Sequence, residues 1–131
     1  MADGPTMAVW RVYTGDDGLT HAEQIEVPLI ERPGGGAVSR LLAGPGVMLR
    51  RTPPDYFIDW HPAPRRQFVI TIAGRGEIEV GDGTKRRFAP GDVFFAEDLT
   101  GEGHVTRHIE GDRCSVVIPV DPDFDIDALR V

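Results

Sequence analysis

The feature that most constrains this chain is its rhythm. Apolar and polar residues alternate with period two along most of its length, and each alternating stretch soon meets glycine, proline or aspartate. Period two puts successive side chains on opposite faces of a strand, and those breakers turn the chain between strands. The strongest run is Gln67 to Ile72, β-branched and almost continuously apolar. Beyond Gly74 and Gly76, Glu77-Ile-Glu-Val80 leads into Gly81-Asp-Gly83 and Arg86-Arg-Phe88 returns, a hairpin by its turn chemistry. Val9 to Tyr13, Gln24 to Leu29, Ala37 to Leu42, Val47 to Arg51, Tyr56 to His61, Val93 to Ala96, His104 to Ile109 and Arg113 to Val120 supply further strand candidates. Only Asp127 to Val131 reads as a helical turn. Short strands at intervals of about 8–12 residues predict an all-β antiparallel sandwich or barrel.

Composition agrees with that reading: 13 Val and 9 Ile stand against 7 Leu, with 16 Gly and 11 Pro among 131 residues. A chain of this size builds one core without disulfide or zinc staples. The formal net charge of −7 and the absence of a basic run longer than Lys85-Arg86-Arg87 argue against nucleic acid as a partner. No apolar stretch approaches the roughly 18 residues of a membrane span, and Met1-Ala-Asp-Gly-Pro5 lacks the basic and apolar regions of a signal peptide. A cytoplasmic protein with no membrane partner is expected. The lone Cys114 lies in an apolar run and reads as a buried, inert thiol. Both faces of Phe68-Val-Ile-Thr-Ile72 are apolar, so the second face should meet another sheet or a partner subunit, and a homodimer is predicted.

The segment His61-Pro-Ala-Pro-Arg-Arg-Gln67-Phe-Val-Ile-Thr-Ile-Ala-Gly74 resembles the first motif of the cupin superfamily, and the chain as a whole resembles a small single-domain cupin. His61 takes the first histidine position, Ala63 the second, Gln67 the position of the glutamate and Gly74 that of the final glycine. Pro90-Gly91-Asp-Val-Phe-Phe-Ala96 resembles the opening of the second motif. There the chain departs from the pattern, with Glu97 for proline, Leu99 for glycine, and the histidine two residues late as His104. The resemblance covers about residues 40 to 120 and implies a double-stranded β-helix, or jelly roll, with a site inside the barrel. It divides the chain into N-terminal strands or an arm over 1–36, a barrel over 37–120 and an acidic C-terminal tail over 121–131.

The resemblance also implies a metal site made by His61, Gln67 and His104, for one divalent ion such as Fe, Mn, Ni or Zn. Asp59 and His61 share a strand face by alternation, and His104, Thr106 and His108 share another, which makes His108 a replacement ligand to consider. Two imidazoles and an amide hold such an ion less tightly than three imidazoles and a carboxylate. Arg65 and Arg66, between the two motif residues, are candidates to clamp an anionic group of a substrate, and Trp60 and Tyr56 are candidates to wall its pocket. Glu97 and Asp98 are the catalytic candidates, as a general base or as the group that orients a histidine. His21 lies beside a turn and reads as surface. Two functions follow from this set. One is a divalent-metal-dependent enzyme of oxygenase, isomerase or lyase type acting on a small anionic substrate. The other is a metal-free cupin that binds a small ligand as a sensor or accessory module. Acid–base chemistry by a histidine and carboxylate pair, without metal, is a third possibility that needs the pairing to be shown.

Overall fold

The hairpin expected around Gly81-Asp-Gly83 forms, and the two strands beside it organise the rest of the molecule. The computed structural model describes residues 4–53 and 56–129. Its strands are β1 (Thr6–Thr14), β2 (Thr20–Pro28), β3 (Ile30–Glu31), β4 (Ala37–Val38), β5 (Met48–Thr52), β6 (Phe57–His61), β7 (Gln67–Glu79), β8 (Lys85–Phe88), β9 (Val93–Glu97) and β10 (His104–Pro119), followed by a 3-10 turn at Ile126–Ala128. The expected helical turn over Asp127 to Val131 is this 3-10 turn one residue earlier; Arg130 and Val131 lie outside the described residues.

β7 and β10 form a long antiparallel ribbon that passes through two layers. In one layer, residues 67–70 of β7 pair with β9 and residues 113–117 of β10 pair with β5, giving the order β2-β1-β9-β7-β10-β5. In the other, residues 76–79 of β7 pair with β8, and the first residues of β10 pair with β6. The ribbon bends at Gly74, whose φ of 83° lies in the left-handed region and whose missing Cβ would stand 2.7 Å from the Asp112 carbonyl oxygen. Any side chain there would collide with the opposite strand. A ribbon that folds over on itself in this way, with both layers facing each other, is a double-stranded β-helix.

Alternation then sorts the core. Val12, Val69, Phe94 and Val117 from the first layer meet Ile78 and Phe88 from the second inside the barrel. Their neighbours Val9, Phe68 and Phe95 point to the outer face, where Ile25, Val27, Ile126 and Leu129 pack on them. Each such buried side chain contributes roughly 1.5–3 kcal/mol. The doubly apolar stretch Phe68–Ile72 therefore has its second face covered in part by this chain's own tail. The tail alternates as the sequence suggested: Ile126 is buried while Asp123, Asp125 and Asp127 face solvent. One pairing departs from the antiparallel expectation, since β1 runs parallel to β9. Through that pairing the N-terminal segment enters the main sheet and sends Val12 into the barrel interior. Cys114 is half-buried.

Candidate functional site

The first residue of β10 is His104, and it stands opposite His61, the last residue of β6. The two rings come within 4.5 Å of one another, centroid to centroid, at 54°. Gly103 permits the approach: it has a φ of 79°, and a Cβ there would run into the His61 carbonyl group. Both rings line a cavity of about 80 Å³ in the barrel interior, whose walls include Val12, Val69, Ile78 and Phe94.

Each imidazole is fixed through Nδ1. His61 Nδ1 lies 2.8 Å from the Asp59 carbonyl oxygen, which can only accept, so Nδ1 donates, and Nε2 has no hydrogen-bond partner among the described residues. His104 Nδ1 lies 2.6 Å from Asp98 Oδ2. Asp98 is fully buried; the same oxygen accepts from Thr20 Oγ1 at 3.2 Å, and its backbone carbonyl accepts from Ala63 N at 3.0 Å. A carboxylate behind an imidazole sets its tautomer and raises the basicity of the far nitrogen. Such a pair can accept a proton or a metal ion at Nε2, or hydrogen-bond a ligand there.

Gln67 is buried on the cavity wall, and its Oε1 accepts from Arg65 Nη1 at 2.9 Å. Arg65 thus reaches the site through Gln67. Ala63, at the position where the resemblance places a second histidine, is buried and lines the cavity. Among the described residues, no group of three His, Cys, Asp or Glu side chains is arranged to hold a metal ion.

Several expected residues lie elsewhere. Phe95 and Glu97 belong to the outer face of β9, and Glu97 is held there by Arg11 Nε at 2.6 Å and Arg66 Nη2 at 3.0 Å. Arg66 also sits over the rings of Phe95 and Phe124, so neither Arg66 nor Glu97 reaches the cavity. Trp60 is exposed and does not line it. Tyr56 is buried, but against His108 and Arg113. His108 has its Nε2 on the Gly111 carbonyl at 2.8 Å and stays off the cavity wall. Asp59 does not share the face of His61. A register shift between His104 and Thr106 lets Ile58 and His61 both line the cavity, while the Asp59 carboxylate accepts from Trp60 N at 2.9 Å.

Thr106, which alternation placed on the face of His104, is on the cavity wall, and sequence reasoning missed Arg50 and Arg113, which line it too. Burial, and for Arg50 also the nearness of Arg113, holds both guanidinium groups below their ordinary pKa. The available signal was positional: Arg113, Ser115 and Val117 alternate, and Val117 belongs to the interior.

No protein-family model matches the chain, and no curated protein matches it. Solved structures that it is similar to include the DMSP lyase DddQ from Ruegeria pomeroyi DSS-3, at 22% identity and a TM-score of 0.46, with 90% of this chain and 59% of that one covered. The cupin domain of Schizosaccharomyces pombe Cnp3 is 12% identical with a TM-score of 0.45, over 92% of this chain and 90% of that one. A putative ethanolamine utilization protein Q from Salmonella typhimurium LT2 is 16% identical with a TM-score of 0.41, over 90% and 100%. The bent β7–β10 ribbon, its two facing layers and the barrel-interior cavity themselves define the architecture: the chain is an all-β double-stranded β-helix, or jelly roll.

Proposed function

We propose that this protein binds a small molecule inside the barrel, without a resident metal ion, as a sensor or accessory module. The observation that carries the reading is the pair of imidazoles 4.5 Å apart on the cavity wall, each tied through Nδ1, with no partner for either Nε2 among the described residues. A site of that kind recognises a ligand by a few placed polar groups in a largely apolar cavity. The donor set falls short of what a divalent ion asks. Gln67 Oε1 already accepts from a cation, and Arg50 and Arg113 bring further positive charge to the same cavity.

The two open Nε2 atoms favour a second reading, in which His61, Gln67 and His104 hold a divalent ion in an enzyme that acts on a small anionic substrate. It places the ion on a Gln67 oxygen that already carries the Arg65 hydrogen bond, beside that cation. One experiment separates the two. Fragments of up to about six heavy atoms are screened by saturation-transfer NMR against the wild type, His61→Ala and His104→Ala, with Zn²⁺, Ni²⁺, Mn²⁺ and Fe²⁺ tested in parallel. Fragments that lose contact in both variants support the barrel site, and a screen without such fragments overturns it. Retention of more than about a tenth of an equivalent of ion, lost in His61→Ala, replaces the first reading by the second.

A homodimer is part of the proposal. It rests on the outer face beside the tail, where an apolar depression of about 490 Å³ is left with Met7 and Val38 half-exposed on its wall. Light scattering at micromolar concentration is expected to give twice the chain mass, and a monomeric mass overturns this part.

A further inference from the structure

Arg113 is 6% exposed, and its Nε has no hydrogen-bond partner among the described residues. Its guanidinium carbon lies 4.5 Å from the Phe88 ring centroid and 5.7 Å from that of Tyr56, and no carboxylate among the described residues pairs with it. A second guanidinium, that of Arg50, reaches the same cavity from β5 and donates from Nε to Ser115 Oγ at 3.2 Å. Arg50 stands opposite Ser115 and Ser115 opposite Thr71 on successive strands, and the buried Thr71 Oγ1 also lacks a partner. A buried cation such as Arg113 without an anion is costly, and Arg50, itself exposed to solvent, brings a second positive charge to the same cavity. Val12, Val69, Ile78 and Phe94 give the rest of the wall an apolar part, beside the polar groups of His61, Gln67, His104 and Thr106. An anion with two oxygens and a short carbon body answers the two guanidinium groups and the apolar part of the wall. Planar guanidinium groups match a carboxylate in particular.

We propose that the Arg50 and Arg113 end of the cavity is a carboxylate subsite, and that the ligand is a small organic acid whose other end meets His61 and His104. Neither arginine was selected from the sequence, which pointed to Arg65 and Arg66. The size of the acid follows from the cavity: an engineered void of about 150 Å³ takes benzene, so the 80 Å³ here suits a body of about three to five heavy atoms.

The inference rests on the barrel being a ligand site, and its test separates the two. Acetate, propionate and butyrate, the neutral isostere propionamide, and inorganic phosphate are titrated into the full chain. NMR follows the ring signals of His61 and His104. The acids are expected to shift both rings, propionamide to bind at least roughly ten-fold more weakly, and Arg113→Met and Arg50→Gln each to weaken the acids by roughly ten-fold or more. The two variants sit on different strands, so loss of folding in one leaves the other to report. Propionamide binding as tightly as propionate, or acids binding both variants as they bind the wild type, overturns the carboxylate subsite while the moving rings keep the barrel site. Phosphate binding as tightly as the acids replaces the organic acid by an inorganic anion. If none of these probes moves either ring, the subsite and the barrel site fall together.

Discussion

Replacing Arg113 by methionine should make the ligand-free protein more stable. The guanidinium is buried beside a second one, and no carboxylate among the described residues pairs with it, so folding strips its water without an ion pair in return. That desolvation costs several kcal/mol even after relaxation. Against it stand the ring contacts with Phe88 and Tyr56, which together offset about 1–2 kcal/mol. Methionine keeps much of the volume and the flexible stem, and hydrophobic replacement of buried charge is often stabilising by about 1–4 kcal/mol. The expected net gain is about 1–2 kcal/mol, a rise in melting temperature of about 4–8 °C for a chain of this size. Calorimetry in a buffer free of organic acids and phosphate measures it. A variant that melts lower than the wild type by a similar margin would refute the reasoning, because the guanidinium would then be holding the barrel together rather than waiting for an anion. Adding a saturating acid should narrow or close the gap between the two proteins, since the wild type gains about 1.4 kcal/mol more from it than a variant that binds ten-fold more weakly.

Three further outcomes follow from the geometry. Asp98→Asn weakens the charge-assisted bond to His104 and should lower stability by about 1.5–3 kcal/mol in urea, with the His104 Nδ1 proton signal moved or lost. Gly103→Ala forces a side chain into the His61 carbonyl at a positive φ, and should cost about 2 kcal/mol or more while parting the two imidazoles, seen as loss of the ring-to-ring NMR contact. His21 lies between Asp17 and Asp82, beside the Tyr13 ring, and chiefly the hydrogen bond to Asp17 raises its pKa above 6.5. A raised folded-state value gives stability that is complete below the unfolded value and is lost as pH rises through the folded one. Thermal midpoints should therefore show a loss above about pH 6.5 that His21→Gln lacks, and equal profiles would count against the contact.

Much of the strand pattern was legible because alternation and turn chemistry are local. Glu77 to Val80 and Arg86 to Phe88 turn at Gly81-Asp-Gly83 as their residues suggest. The same local logic split β7 at Gly74, where the structure has a bend within one strand, since a positive φ can redirect a ladder without ending it. Ala37 to Leu42 gives only the two residues of β4, a stretch with few partners to hold it. At the site, motif spacing picked out His61 and His104, and the structure brings them together. Glu97 and Asp98 are both catalytic candidates by sequence, but one lies outward on β9 and the other turns to His104. Alternation with Val117 puts Arg113 on an interior face, but what makes Arg50 and Arg113 notable is the lack of an anion across the barrel, and that depends on contacts far apart in sequence.

Those two adjacent carboxylates have a consequence for how the molecule tolerates change. Glu97 is pinned by arginines from β1 and from the segment before β7, and Asp98 holds the imidazole directly behind it. The aim of His104 is thus inherited from the sheet and not from the exposed residues 99–102 that separate it from Asp98. That loop can change its exposed side chains over evolutionary time, provided Gly101, whose Cβ would meet the Gly18 carbonyl, and Gly103 both stay, and the ring will still look into the same chamber.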